Sequence, residues 1–331
     1  MQNAIVLQGG GALGAYEFGV LKRLYELPDF ETDLIAGVSI GAINAAVLAG
    51  SKFDNPIEAL DQLWEMLAMK PSPFIPDGAE QFAALGGNPA FFVPRQDYWN
   101  FTNWTSYYDT RPLAGTLSQV INYDKLNSGN PRLILSATNI ESGDIAYFDT
   151  KNDTLTEDHI MASGSLPPGF GPTHIAGNTY WDGGLFNNTP LSPVMDALKD
   201  LPSGKKRIFV INLFPSKGEV PQNMMDVSDR MVELLFSDKL ELDTRMARHV
   251  NEYIELVKEL EKVLPKDAAG KAIRSLPAYK RIKQYTYIDE IVVIEHDEPE
   301  KVYGAFDFSE SSINKRIEFG YADASRALEQ L

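Results

Sequence analysis

In this chain of 331 residues, the residue best placed for chemistry is a serine between two glycines. The segment Gly37-Val38-Ser39-Ile40-Gly41 has the G-x-S-x-G spacing of a nucleophile elbow, a tight turn from a strand into a helix that exposes the serine hydroxyl. Glycines on both sides remove side chains that would clash at such a turn. The amino terminus of the following helix would favour negative charge near the hydroxyl. Because short Gly-Ser strings are common, this interpretation requires a buried strand before Ser39 and a helix after it.

A glycine-rich loop opens the chain and has two possible functions. Gly9, Gly11 and Gly14 fit the G-x-G-x-x-G pattern of a dinucleotide site, and the amides of the same loop could hold the oxyanion of an acyl transfer. A dinucleotide site needs an acidic residue at the end of the second strand, where this chain has Ser39. A P-loop is excluded because Gly14 is not followed by lysine and a hydroxyl residue. The pattern therefore favours an oxyanion site, with a nucleotide-binding protein as the alternative.

A carboxylate in a second glycine turn is the candidate base. Residues 180–184 read YWDGG, which is typical of a turn that fixes Asp182 on tight backbone, although an ordinary Asp-Gly turn has the same sequence. A carboxylate within about 3 Å of a hydroxyl can accept its proton, and burial would raise the pKa of that carboxylate. Ser163 and Ser165 could compete with Ser39 as nucleophiles, but they lack an elbow and are interpreted as turn residues near Asp182. His296 ends a predicted strand and is a second candidate for the base, but a surface or turn histidine is the favoured interpretation.

Alternating strands and helices are predicted to position these groups. The opening β-α-β-α pattern implies a parallel sheet with right-handed crossovers, so the glycine loop and Ser39 should share one sheet edge. We expect a three-layer α/β/α fold with a mostly parallel central sheet, in a single domain over 1–331. The predicted elements are strand 4–7, helix 12–27, strand 34–38, helix 41–49, helix 56–69, a hairpin of strands 132–139 and 144–149, strand 207–214, helix 226–263, strand 288–295 and helix 309–330.

Two segments interrupt this alternation. Residues 70–112 are rich in proline and aromatic residues and are predicted to be an insertion of loops and short helices. This insertion could form a lid or an acyl-chain groove over Ser39, or it could pack onto the core. The second is a helical excursion over about 226–285. Its helix 226–263 could cover the site, form a dimer face or touch a membrane, but the mixed charges of this helix favour an exposed surface helix. Asn44, just after the elbow, is expected to be a helix-packing residue.

Composition limits the class of protein and its partners. The net charge of −16 disfavours a general electrostatic contact with nucleic acid or with anionic membranes. The absence of cysteine excludes disulfides, thiolate metal sites and a cysteine nucleophile. No apolar run approaches the roughly 18 residues of a membrane span, and the start MQNAIVLQ does not read as a secretory signal. We therefore expect a cytoplasmic protein with at most peripheral membrane contact and possible homo-oligomers.

Three stretches together resemble the patatin-like phospholipase family, which are acyl hydrolases with a Ser-Asp dyad. The stretches are residues 8–21 (QGGGALGAYEFGVL), 36–50 (AGVSIGAINAAVLAG) and 162–190, which contains YWDGGLFNNTP; residues 306–324 also resemble the carboxyl-terminal end of a bacterial branch. The resemblance implies a lipid or acyl-ester substrate and no metal or cofactor. Many relatives have Arg or Lys in the glycine loop where this chain has Leu13, so the resemblance leaves open whether the ester is a phospholipid, a lysophospholipid, a glyceride or another acyl ester.

The resemblance also assigns roles to residues of this chain. Ser39 would be the nucleophile and Asp182 the general base. Backbone amides of the glycine loop, with the amide after the nucleophile, would hold the oxyanion. The residues implied in these roles and in the turns around them are Ser39, Asp182, Gly9, Gly10, Gly11, Ile40, Gly37, Gly41, Gly183 and Gly184.

Overall fold

The computed structural model describes residues 1–70, 80–214, 218, 220–237, 240–296 and 302–331. Its strands are β1 (Gln2–Leu7), β2 (Leu34–Gly37), β3 (Val93–Pro94), β4 (Tyr108–Asp109), β5 (Arg132–Asn139), β6 (Ile145–Asp149), β7 (Thr173–Ile175), β8 (Asn178–Asp182), β9 (Lys206–Asn212) and β10 (Glu290–Glu295). Its α-helices are α1 (Gly14–Tyr25), α2 (Ile40–Ala49), α3 (Pro56–Leu67), α4 (Arg111–Val120), α5 (Tyr123–Leu126), α6 (Glu157–Ser163), α7 (Leu191–Ala197), α8 (Met224–Phe236), α9 (Leu240–Val263), α10 (Ala268–Ser275), α11 (Pro277–Ile282) and α12 (Glu310–Leu328).

An eight-stranded sheet forms the centre of the molecule, in the order β10-β9-β1-β2-β5-β8-β7 with β6 also paired to β5. The strands β10, β9, β1, β2 and β5 run parallel, whereas β6, β7 and β8 join by antiparallel pairing. The predicted mostly parallel sheet and the hairpin of β5 and β6 are therefore confirmed. Parallel pairing places the ends of β1 and β2 at one edge, where the glycine loop and Ser39 follow them.

Helices cover both faces of this sheet because its central strands alternate apolar side chains between the faces. In β1, Ile5 and Leu7 join a buried cluster with side chains of α1, α2, α3 and α12. Ala4 and Val6 point the other way and join a second buried cluster with side chains of α7 and α9. The three-layer arrangement follows directly from this alternation.

The helices α1 and α12 approach so closely that their backbones touch. A Cβ atom at Gly19 would lie 2.1 Å from the carbonyl oxygen of Ile317, and one at Gly320 would lie 2.0 Å from that of Tyr16. Only glycine fits at such distances, so the last helix of the chain is fixed against the first.

Two predicted helices have different bounds in the structure. The predicted helix 226–263 is two helices, because α8 ends at Phe236 and α9 begins at Leu240. Its apolar residues fall on changing faces, which one straight helix cannot bury against one surface. The predicted helix 12–27 begins instead with a 3-10 turn at Gly11–Leu13 that leads into α1.

The insertion predicted over 70–112 is irregular in its described part. Residues 71–79 lie outside the described residues, and the rest contains 3-10 turns at Glu80–Gly86 and Tyr98–Asn103, the short pair β3–β4 and the first residues of α4. Among the described helices, none is long and apolar enough to cross a membrane.

Candidate active site

Ser39 lies in a strained turn between β2 and α2. Its backbone has φ 55° and ψ −123°, in the region of positive φ that residues other than glycine rarely adopt. The flanking glycines permit close backbone contacts, because a Cβ at Gly37 would lie 2.3 Å from the oxygen of Gly41 and one at Gly41 would lie 2.5 Å from the oxygen of Gln8. The strand-to-helix context that the G-x-S-x-G pattern required is therefore present.

Ser163, the last residue of α6, binds the backbone of this turn. Its carbonyl oxygen and its Oγ both accept the Ser39 N–H, at 3.1 and 3.0 Å. The Ser163 hydroxyl donates in turn to the carbonyl oxygen of Ser136 on β5, at 2.7 Å, and Ser163 is fully buried. Ser163 is therefore more than the turn residue that the sequence indicated, because it anchors the strained peptide of Ser39.

Asp182 reaches Ser39 from the other side of β5. Gly37 of β2 pairs with Leu135, and Asp182 at the end of β8 pairs with Ala137, so one strand separates the two turns. The side chains of Ser39 and Asp182 line the same cavity, and an interaction with the Ser39 side chain lowers the pKa of the Asp182 carboxyl. The N–H of Asp182 donates to the carbonyl oxygen of Ser165, at 3.0 Å, which places Ser165 beside the backbone of Asp182.

Burial controls the acidity of Asp182, which is only 2% exposed. Desolvation raises the pKa of its carboxyl from 3.8 to about 7, against the opposing hydrogen bonds from Ser39 and from the Gly184 N–H. The Gly184 N–H lies 2.8 Å from Asp182 Oδ1, within the predicted Asp-Gly-Gly turn. A Cβ at Gly183 would lie 2.5 Å from the oxygen of Ser136, so the turn packs directly on β5.

The backbone N–H groups around Ser39 differ in whether they already donate a hydrogen bond. The Gly9 N–H donates to Asn188 Oδ1 at 3.1 Å. Within the described part of the chain, no hydrogen bond uses the N–H groups of Gly10, Gly11 or Ile40. Three of the four amides expected around the oxyanion are therefore available to a ligand, and the fourth is occupied.

A cavity of about 330 Å³ opens over these groups, and its walls are almost entirely apolar. It is lined by Gly9, Gly10, Gly11, Ser39, Ile40, Ile43, Phe91, Phe92, Gly164, Leu166, Pro167, Phe170, Asp182, Leu185, Asn188, Phe214, Phe236, Ala305, Phe306 and Phe308. This volume lies within the range of roughly 300–1,000 Å³ that is typical of small-molecule sites.

The aromatic insertion contributes to the cavity and also to the core. Phe91 and Phe92 line the cavity, and their rings lie 5.7 Å from Phe308 and 5.2 Å from Phe170 respectively. Trp99, by contrast, is 87% exposed and does not line the cavity. The same two rings therefore line the cavity and pack in the buried core.

Two other candidates have structural roles. His296 Nδ1 lies 2.8 Å from Asp323 Oδ2, and the imidazole ring stacks on Phe319 at a centroid distance of 4.4 Å. His296 is not among the residues that line the cavity. Leu13 is 4% exposed and packs in the core, and it does not line the cavity either.

Asn44 connects three helices, as the sequence predicted. Its Nδ2 donates to the Gly14 oxygen at 3.0 Å and to Glu17 Oε2 at 2.9 Å, and its Oδ1 accepts from the Trp64 Nε1–H at 3.0 Å. These bonds join α1, α2 and α3 beneath the site. Among the described residues, no group of three or more His, Asp or Glu side chains could hold a metal ion.

Comparison with known proteins identifies the family. Residues 5–195 match the family model described as Patatin-like phospholipase, and residues 234–331 match a second model described as Patatin phospholipase. The chain therefore belongs to the patatin-like phospholipase family, whose members are hydrolases that act on lipid esters. The first match covers the glycine loop, Ser39 and Asp182, and the second covers α9 to α12.

Searches with the sequence and with the structure add one further comparison. No curated protein sequence matches the chain significantly. Among solved structures, VipD from Legionella pneumophila is similar at 13% identity and a TM-score of 0.39, over 99% of this chain and 67% of that one. The family assignment depends on the two family models.

Proposed function

We propose that this chain is a serine hydrolase of lipid acyl esters that works through a Ser39–Asp182 dyad and a covalent acyl-enzyme. The observation that carries the proposal is that the two side chains meet at one cavity. A serine in a strained elbow and a buried carboxylate whose pKa burial raises to about 7 line the same apolar cavity, and the serine side chain interacts with that carboxyl.

The raised pKa suits Asp182 to act as a base. A general base works best when its pKa lies near the working pH, since it then is ionised and still takes up a proton readily. Asp182 would accept the Ser39 proton while Oγ attacks the carbonyl carbon of the ester. Protonated Asp182 would then give this proton to the departing alcohol, which leaves the acyl group on Ser39.

Deacylation would use the same two groups in reverse. Asp182 would take a proton from a water molecule, which attacks the acyl carbonyl, and the proton would return to Ser39 as the acid leaves. In both half-reactions, the N–H groups of Gly10, Gly11 and Ile40 would donate to the oxyanion. Removal of one such donor typically costs about 100- to 1,000-fold in rate.

The cavity supports an acyl substrate. Its phenylalanine and aliphatic walls would bury a hydrocarbon chain, while its polar groups cluster at Ser39, Asp182 and the glycine loop. This arrangement fits an ester whose apolar chain lies against Phe91, Phe92 and its neighbours and whose carbonyl lies at Ser39.

Substitution of the nucleophile tests the proposal. We expect Ser39→Ala to abolish hydrolysis of p-nitrophenyl butyrate and labelling by a fluorophosphonate, and peptide mass spectrometry of the wild-type adduct should locate the label on Ser39. Ser142→Ala, an exposed serine in the hairpin of β5 and β6, is the matched control and should remain active. Full turnover by a folded Ser39→Ala variant, or an adduct on another serine, would refute the dyad.

The same experiment separates the alternatives that the sequence left open. A catalytically silent relative would not react with the fluorophosphonate. A nucleotide-binding protein would be stabilised by NAD or ATP in thermal unfolding, because a ligand of the native state raises stability. We expect labelling and no such stabilisation.

A further inference from the structure

Asn188 binds both polar groups of Gly9, the first glycine of the loop. Its Oδ1 accepts the Gly9 N–H at 3.1 Å, and its Nδ2 donates to the Gly9 carbonyl oxygen at 3.0 Å. Asn188 is only 3% exposed and lies at the cavity wall, six residues after Asp182 in the chain. Because the same side-chain amide makes both bonds, it fixes the backbone dihedral angles φ and ψ of Gly9.

This contact determines the direction of the next N–H group. In a trans peptide unit, the carbonyl of one residue and the N–H of the next lie in one plane and point in opposite directions. Because Asn188 holds the Gly9 carbonyl on its own side, the N–H of Gly10 must point away from Asn188. This N–H has no acceptor among the described residues, and Gly10 lines the cavity.

Two glycines make room for Asn188. A Cβ at Gly9 would lie 2.6 Å from Asn188 Oδ1, and one at Gly184 would lie 2.8 Å from the same atom. The side chain therefore fits between the glycine loop and the Asp-Gly-Gly turn, and it contacts both halves of the site. A side chain at either position would displace the amide.

The neighbouring residue forms a second connection between the same segments. Thr189 Oγ1 accepts from Gln8 Nε2 at 2.6 Å, and Gln8 Oε1 accepts the Leu213 N–H at 2.7 Å. Both Gln8 and Thr189 are fully buried. The end of β1 is thus held from both sides, so the loop that starts at Gly9 cannot shift freely to reach a substrate.

We propose that Asn188 is a positioning residue of the oxyanion hole: it withdraws the Gly9 N–H from the hole and aims the Gly10 N–H into it. This inference rests on the proposed function, because an oxyanion forms only if Ser39 attacks an ester. The hole is then formed by Gly10, Gly11 and Ile40, and Gly9 serves as the anchor of the loop.

The test compares Asn188→Ala with Asn3→Ala. Asn3 is also a buried asparagine whose Nδ2 donates to a backbone oxygen, at 2.9 Å to Glu31, but it lies at the opposite end of β1. For each variant, kcat and KM for p-nitrophenyl butyrate are measured together with the inhibition constant of an alkyl trifluoromethyl ketone. This ketone forms a tetrahedral adduct with an active-site serine and mimics the oxyanion.

Loss of positioning has a specific kinetic signature. For Asn188→Ala, we expect kcat to fall about 10- to 100-fold with little change in KM, and the inhibition constant of the ketone to rise by the same factor. Asn3→Ala should lose stability without either change. An Asn188→Ala variant with normal kcat, or with a lower kcat but unchanged ketone inhibition, would overturn the proposal.

A second variant, Asn188→Asp, tests the proposal even if Asn188→Ala does not fold. Asn188→Asp keeps the shape and the acceptor for the Gly9 N–H, but it cannot donate to the Gly9 oxygen when ionised, and it places negative charge near the oxyanion. We expect Asn188→Asp to be at least as impaired in kcat as Asn188→Ala, and equal activity to wild type contradicts the proposal. Failure of the proposed function itself looks different, because wild-type protein would then neither hydrolyse the ester nor bind the ketone.

Discussion

The raised pKa of Asp182 makes Asp182→Asn informative about both catalysis and stability. Burial raises this pKa from 3.8 to about 7, and only the ionised carboxylate can accept the Ser39 proton. We expect kcat/KM of the wild type to reach half its maximum near about pH 7 and to fall about tenfold for each pH unit below that. Asparagine cannot accept the proton, so Asp182→Asn should lose about 100- to 10,000-fold in kcat.

The same shift predicts that the substitution stabilises the protein. Between pH 3.8 and about 7, the folded state holds a proton on Asp182 that the unfolded state has released. The free energy of unfolding therefore falls as the pH rises through this window, and it is fully restored only below the unfolded pKa. At about 1.4 kcal/mol per pKa unit, a shift of about 3 units corresponds to about 4 kcal/mol lost above the window. Asparagine does not ionise and avoids this loss.

Urea unfolding at two pH values measures the effect. Integration over the window gives a loss of about 2 to 3 kcal/mol for the wild type relative to Asp182→Asn between about pH 5 and about pH 8. Asp196→Asn is the matched control, since Asp196 is exposed and the substitution changes net charge equally. A stability difference between wild type and Asp182→Asn that is the same at both pH values would refute the reasoning, because the folded carboxyl would then ionise as an unfolded one does.

Two further substitutions test the packing beneath the site. Gly320→Ala should lower the free energy of unfolding by about 1–3 kcal/mol, since its Cβ would lie 2.0 Å from the Tyr16 oxygen, and an unchanged urea midpoint would contradict the close contact of α1 with α12. Glu17→Gln should retain activity and become more stable than wild type as the pH rises above about 5, because burial raises the pKa of the Glu17 carboxyl well above its usual range and the folded state keeps a proton that the unfolded state loses. An equal loss of stability at every pH would show instead that Glu17 is ionised in the fold.

The sequence predicts the elements and the residues proposed to react more readily than the residues that hold them in place. Ser39 is predictable because its motif is local and because the strand and helix around it have clear apolar patterns. The contacts of Ser163 with Ser39 and of Asn188 with Gly9 join residues 124 and 179 positions apart, respectively. No local pattern encodes such a distance, so the sequence indicates only a turn residue at Ser163 and assigns no role to Asn188.

The sequence also predicts one helix over 226–263 where the structure has two, α8 and α9. The apolar residues of 226–263 have helical spacing but change faces along the stretch, and the sequence between Phe236 and Leu240 contains neither glycine nor proline to mark a helix end. In the structure, Phe236 lines the cavity, whereas Leu240 packs on the far face of the sheet. Such a division of neighbouring side chains between two environments is visible only once the fold is known.

The wall of the cavity is built from several parts of the chain with different roles. The groups proposed to react or to stabilise charge all lie between Gly9 and Asp182, whereas the side chains of Phe236, Phe306 and Phe308 contribute apolar surface. Under the proposed function, substitutions of these three rings would reshape the space for an acyl chain and leave the proposed reacting groups in place. Selectivity for chain length and the chemistry at Ser39 would then be separable, and variants at the three rings would change the preferred chain length on one catalytic centre.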